Sequence, residues 1–135
     1  MAIDVEKMLD HVTNNNYSTS EIETGKKWID GKPIYRKTIQ WSASGNIGGS
    51  GTETNILIPH GISNFDKLTS LKMTMFNPVT LESYNFPYSS GSSNVSTYTG
   101  VSHVNNSNIK LRIINDTWVS TQIFYFTLEY TKTTD

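Results

Sequence analysis

From Tyr17 to the C-terminus, apolar side chains recur at every second position, in short runs divided by Asn, Ser, Gly and Pro. Period-two alternation puts one set of side chains on one face of an extended strand, so these runs predict half-buried strands. Ile109, Leu111 and Ile113 alternate with Lys110 and Arg112 in the clearest case, and Leu71, Met73 and Met75 stand opposite Lys72 and Thr74 in a run from Leu68 to Phe76. Tyr35, Ile39 and Trp41 alternate with Arg36, Thr38 and Gln40. Lys37 falls on the apolar side of that run, so it is expected to snorkel or to lie at a sheet edge. Asn55 to Ile58 reads as a short strand stopped by Pro59. Tyr84, Phe86 and Tyr88 recur at period two and predict one strand within residues 80–91, with a turn over Ser89 to Ser93. A further strand is expected over residues 94–104, then a turn over Asn105 to Asn108. Ile123 to Thr131 closes the chain. It is apolar on both faces, through Phe124, Phe126 and Leu128 against Ile123 and Tyr125. Both faces should therefore be covered, one by the core and the other by a second sheet or a neighbouring subunit.

Ile3 to Val12 is the one helical candidate. Val5, Met8, Leu9 and Val12 form a stripe at i, i+3, i+4, i+7, Asp4 can cap its start, and Lys7 and His11 suit the helix dipole. About ten residues are too few for a stable isolated helix, so the stripe must pack on something, either the same domain or neighbouring subunits. Ser42 to Thr52, rich in glycine and serine, reads as a flexible loop, and Asp30-Gly31 as a tight two-residue hairpin turn. The expected fold class is all-β: an antiparallel β-sandwich or jelly roll with a short N-terminal helix, divided into a helical stub or linker over residues 1–16 and a β-sandwich domain over residues 17–135.

The 135 residues suit one domain. Net charge is −1, which gives no electrostatic case for nucleic acid or an anionic membrane. The five cations between Lys26 and Lys37 come nearest to a basic stripe, and read as a solvated strand face. Without cysteine there is no disulfide and no thiolate chemistry. No apolar run reaches signal-peptide or membrane-span length, so a product made in the cytoplasm, with no membrane partner, is expected. Ser, Thr and Asn make up about a third of the chain and charged residues only 17%, a balance that suits strands joined by polar turns.

Trp28-Ile29-Asp30-Gly31-Lys32-Pro33-Ile34-Tyr35-Arg36-Lys37-Thr38-Ile39, entered through Tyr17 to Glu21, resembles the start of the C-terminal head domain of tail-fibre, baseplate and minor structural proteins from phages and prophages of Gram-positive bacteria. Ile58 to Asn64 and Leu128 to Asp135 are similar to the same family. The resemblance implies a virion (tail) location, a homotrimer, contacts with other tail or baseplate proteins, and binding of a host cell-surface saccharide or other receptor. It implies no catalytic site. With only the short stub ahead of the domain, the chain is expected to be a fragment or to dock through that stub.

The search for reactive groups points the same way. His11, His60 and His103 are far apart and belong to no zinc motif, so neither a metal nor another cofactor is expected. No Gly-x-Ser-x-Gly elbow occurs, and the glycine-rich Asn46 to Gly51 lacks the Lys-Ser/Thr of a phosphate loop. Nothing pairs the carboxylates as a glycosidase requires. Binding is better provided for. Sugar C–H faces stack on aromatic rings, and sugar hydroxyls suit Asn, Asp, Ser and Thr. Trp41, Tyr84, Tyr88, Tyr98 and Trp118 lie near strand ends or turns rich in such partners, and Asp116 supplies a polar rim beside Trp118. Core packing is the competing role for every one of these rings.

Overall fold

The computed structural model describes residues 14–45, 47–48, 53–91, 96–114, 116–118 and 120–135; for residues 88–91 and 96–97 only the backbone is described. The helix expected over Ile3 to Val12 lies outside the described residues. Within them the chain is all-β, with antiparallel sheets throughout. The strands are β1 (Ile22–Lys27), β2 (Pro33–Ser42), β3 (Ile47–Gly48), β4 (Glu53–Pro59), β5 (Phe65–Asn77), β6 (Glu82–Asn85), β7 (Tyr88–Gly91), β8 (Ser96–Val104), β9 (Asn108–Ile114), β10 (Thr117–Trp118) and β11 (Ile123–Lys132).

Five strands form one sheet in the order β1-β2-β11-β5-β6, and four form another in the order β4-β9-β8-β7. The closing strand β11 is central in the larger sheet. Its register sets Phe124 beside Met75, Phe126 beside Met73 and Leu128 beside Leu71, so the inward residues of both strands share one face. The inward residues of β9 are Ile109, Leu111 and Ile113, all fully buried. Residues of both sheets belong to a single buried cluster. Burying each such side chain contributes about 1.5–3 kcal/mol, so the alternation read from the sequence is what fixes the register.

The three segments that carry the family resemblance meet at one end of the fold, where β2 begins and β11 ends. Lys32 pairs with Asp66 at 2.9 Å, and its ammonium also donates to the Lys132 carbonyl. The Thr133 N–H donates to the Asn64 carbonyl at 2.8 Å, and the Tyr35 hydroxyl to the Asp135 carboxylate at 2.7 Å. Lys37, on the apolar side of β2, snorkels: its ammonium donates to the His60 carbonyl at 2.9 Å. His60 is buried, and its Nδ1 accepts the Ile62 N–H at 3.0 Å. Its Nε2 therefore carries the proton and donates to the Asn105 carbonyl at 2.8 Å, which ties the loop after β4 to the β8–β9 turn.

Four local expectations change. The Asp30-Gly31 turn is wider than two residues, because residues 28–32 separate β1 from β2; Gly31 takes φ +87° and the Asp30 carboxylate accepts the Lys32 N–H. The run through Tyr84, Phe86 and Tyr88 is not one strand. Pro87 has no N–H to continue a ladder, and the chain leaves β6 in the larger sheet to enter β7 in the smaller one, so Ser89 to Gly91 are strand rather than turn. Ile47-Gly48, expected as loop, pairs with Thr117-Trp118. The cationic run is not simply a solvated face. Arg36 is 6% exposed, and its guanidinium donates to the Asn14 and Asn16 carbonyls and to Glu129.

Candidate functional site

The end of the fold opposite the three resembling segments is built of rings. β2 ends there with Trp41, β11 starts there with Phe124, and β10 brings in Trp118. Trp41 lies 5.5 Å from Phe124 between ring centroids, and Tyr84 lies 5.6 Å edge-on to Trp118. Phe86 touches both Trp118 and Phe124, at 6.0 and 6.1 Å. Offset and edge contacts of this kind add about 0.5–1.5 kcal/mol per pair beyond burial.

Trp118 is only 7% exposed. Its indole N–H donates to the Thr99 hydroxyl at 2.9 Å, and that hydroxyl donates to the Asp116 carboxylate at 2.9 Å. Asp116 also accepts the Thr117 N–H. Gly48 makes the β3–β10 contact possible. Its φ is +82°, and a Cβ there would meet the Asp116 carbonyl oxygen at 1.9 Å, so only glycine fits.

The expected site residues therefore divide by position. Trp41, Tyr84 and Trp118 come together around Phe124, facing inward, with Asp116 joined to them through Thr99. Trp41 and Tyr84 are half-buried, and the Tyr84 hydroxyl donates to Glu82 at 2.6 Å. Tyr88 lies on β7, paired with Thr99, and its side chain is outside the described residues. Tyr98 stands apart, half-buried on β8, where it lines a small open cleft of about 100 Å³ with Leu71, Met73, Phe86, Pro87 and Val101. Gly100 lets this ring fold back, since a Cβ there would meet the Tyr98 hydroxyl at 2.5 Å.

Sequence reasoning missed Phe86 and Pro87 as cleft residues, and Thr99 as the link between Trp118 and Asp116. The Phe-Pro pair carried a signal, because proline inside a strand pattern marks a break or an edge. A buried threonine carries none. Among the described residues, the cleft lining has apolar and ring side chains but no carboxylate, imidazole or ammonium group. It suits contact with a C–H-rich or planar group. Among the described residues, no three His, Asp or Glu side chains gather where a metal ion would sit. Comparison of the chain with protein-family models, with curated proteins and with solved structures gives no match.

Proposed function

We propose that this chain is a tail-associated phage or prophage virion protein whose domain binds a host cell-surface saccharide. The observation that carries the binding part is the ring-lined cleft: Tyr98 and Phe86 line it, and among the described residues no reactive group does. The virion part rests on the resemblance of residues 28–39, 58–64 and 128–135, which pack against one another as one unit. The same reading takes the two sheets as a β-sandwich of jelly-roll type, supported by the cluster they share, and takes the chain as a homotrimer contacting other tail or baseplate proteins, active as an adhesin rather than as an enzyme.

A single shallow sugar site of millimolar affinity is worth only about −4 kcal/mol, so the function depends on multivalency. The test is retention on Gram-positive cells and on purified wall polysaccharide, comparing free monomer with multivalent display. Strong retention of the display, lost with Tyr98→Ala, is expected. Equal signals from monomer and display, or retention indifferent to Tyr98, would overturn the reading.

A second reading is favoured by one specific observation. The burial of Trp118 and its N–H bond to Thr99 make the largest expected ligand platform part of the core. On this reading the chain is a structural baseplate or tail accessory part with no receptor site. It predicts no saccharide retention in any format, with normal incorporation into particles.

A further inference from the structure

Tyr17 and Tyr125 were not among the rings expected to bind. Residues 14–21 run ahead of β1 as a strap, and three bonds lay it along β2. The Arg36 guanidinium donates to the Asn14 carbonyl at 2.9 Å and to the Asn16 carbonyl at 3.0 Å. The Thr38 N–H donates to the Ser18 carbonyl at 2.8 Å. Arg36 also lies over the Tyr17 ring, 5.3 Å from its centroid, yet that tyrosine stays 65% exposed. Across Thr38, the register sets Thr127 beside Thr38 and Tyr125 beside Gln40, which leaves Tyr125 half-buried on the outer side of β11. Tyr17, Ser18, Thr19, Thr38 and Tyr125 together line an open groove of about 320 Å³.

This lining has one chemical character. Each of the five side chains carries a hydroxyl, which both donates and accepts, and two of them add an aromatic ring. An apolar peptide would leave those hydroxyls unpaired on docking. An ionic ligand would meet no counter-charge in the lining among the described residues. The charges of this face stand in other rows: Lys72 beside Thr127, and Arg36 beside Glu129, with which it pairs at 2.8 Å. A neutral pyranose matches both halves of the lining, with C–H groups for the rings and hydroxyls for the hydroxyls. The volume falls within the range of about 300–1,000 Å³ that small-molecule sites occupy. The strap's bonds to Arg36 and Thr38 hold the lining in place before a ligand arrives. We infer that this groove is a second saccharide site, for a neutral sugar unit, sharing no residue with the cleft at Tyr98. It takes its ligand class from the saccharide reading above and its place from its own residues.

The test titrates glucose, galactose, rhamnose and N-acetylglucosamine, each through the millimolar range, into isotope-labelled full-length chain. At least one is expected to shift the Thr19, Thr38 and Tyr125 amide signals to saturation. Tyr17→Ala alters an exposed residue, and should weaken that binding about tenfold while the core resonances keep their shifts. Tyr98→Ala should leave it unchanged, so the two sites fail separately. Saturable shifts confined to Leu71, Tyr98 and Val101 would overturn the groove and leave the cleft standing. No saturable shift from any of these sugars, binding indifferent to Tyr17, or glucuronate held more tightly than glucose would overturn the inference. Groove signals that change with protein concentration in the absence of sugar would overturn it as well, since a second copy would then cover the groove.

Discussion

Both ends of β11 are packed by rings, but they differ in what surrounds those rings. At its start, Phe124 sits in a ring cluster with Trp41, Phe86 and Trp118, where the contacts are dispersion and excluded water. At its finish, Tyr130 donates to Glu21 at 2.5 Å, Lys132 pairs with Glu21 at 2.6 Å, and Lys32 and Lys67 share Asp66. Ion pairs open to solvent contribute about 0–1 kcal/mol each, whereas an emptied aromatic site leaves a cavity. The ion pairs of the polar end should therefore add little, since Tyr130, fully buried against Tyr35 and Phe65, supplies the packing there; they mainly fix which segments meet. The strongest test is Phe124→Ala. Phe124 is fully buried, and its loss should cost about 3–5 kcal/mol, read as a shift in the urea midpoint. A loss no larger than that of Lys132→Ala would reverse the comparison.

Arg36 is the exception at the polar end, because its side chain is 7% exposed rather than open to water. Arg36→Met keeps the bulk but removes the donors to two backbone carbonyls and to Glu129, which is itself only partly exposed. The expected cost is about 2–3 kcal/mol, since groups left unpaired away from water forfeit their desolvation. Chemical denaturation checks the size. If the variant is as stable as the parent, the strap from Asn14 to Ser18 is not held by this guanidinium.

How much of this was legible beforehand follows from which forces leave a mark in sequence. The inward residues of β5, β9 and β11 were readable because period two is imposed by the pleat, whatever the partner strand. The turns at Asn77 and Asn105 were readable because their side chains accept the following N–H groups, as Asn105 does from Ser107 and Asn108. Strand pairing was not readable. Pro87 marks a break between Tyr84 and Tyr88, but nothing local says that the two, four residues apart, enter different sheets. The burial of Arg36 was equally hidden, because two of its partners are backbone carbonyls that any sequence would supply and the third, Glu129, is 93 residues away. For the site, residue type pointed to rings near one end, but not to which ring would be open. Trp118 was drawn inward because Thr99 satisfies its N–H, and Tyr98 was left at the cleft because Gly100 makes room for it.

Acid should weaken the polar end selectively. Hydrogen bonds from Lys32, Lys67 and Thr131 hold the Asp66 carboxyl down at about 2. A carboxyl depressed in the folded state adds stability above its unfolded value, and this stability disappears as pH falls through the folded one. The parent should lose stability between about pH 5 and pH 2 more steeply than Asp66→Asn, measured by denaturation at each pH. Parallel curves would remove Asp66 from the account, and with it the link between the β1–β2 turn and the end of β11.

The smallest effect is expected at Tyr35, and its sign is opposite. Its hydroxyl donates to Asp135, a bond that the phenolate would lose; with burial and the Asp135 charge, this raises the phenol to about 12. A group raised in the folded state contributes below its unfolded value near 10, and that contribution fades as pH climbs toward 12. Tyr35→Phe should therefore cost about 0.5 kcal/mol or less at neutral pH, because the hydroxyl is at the surface. The sharper readout is absorbance titration of tyrosinate. Burial and the Glu21 hydrogen bond push Tyr130 up further than Tyr35. The variant should lose one of the late-ionising tyrosines and retain the latest. If the titration curve loses an early-ionising group instead, Asp135 does not pin the segment after β11 to β2.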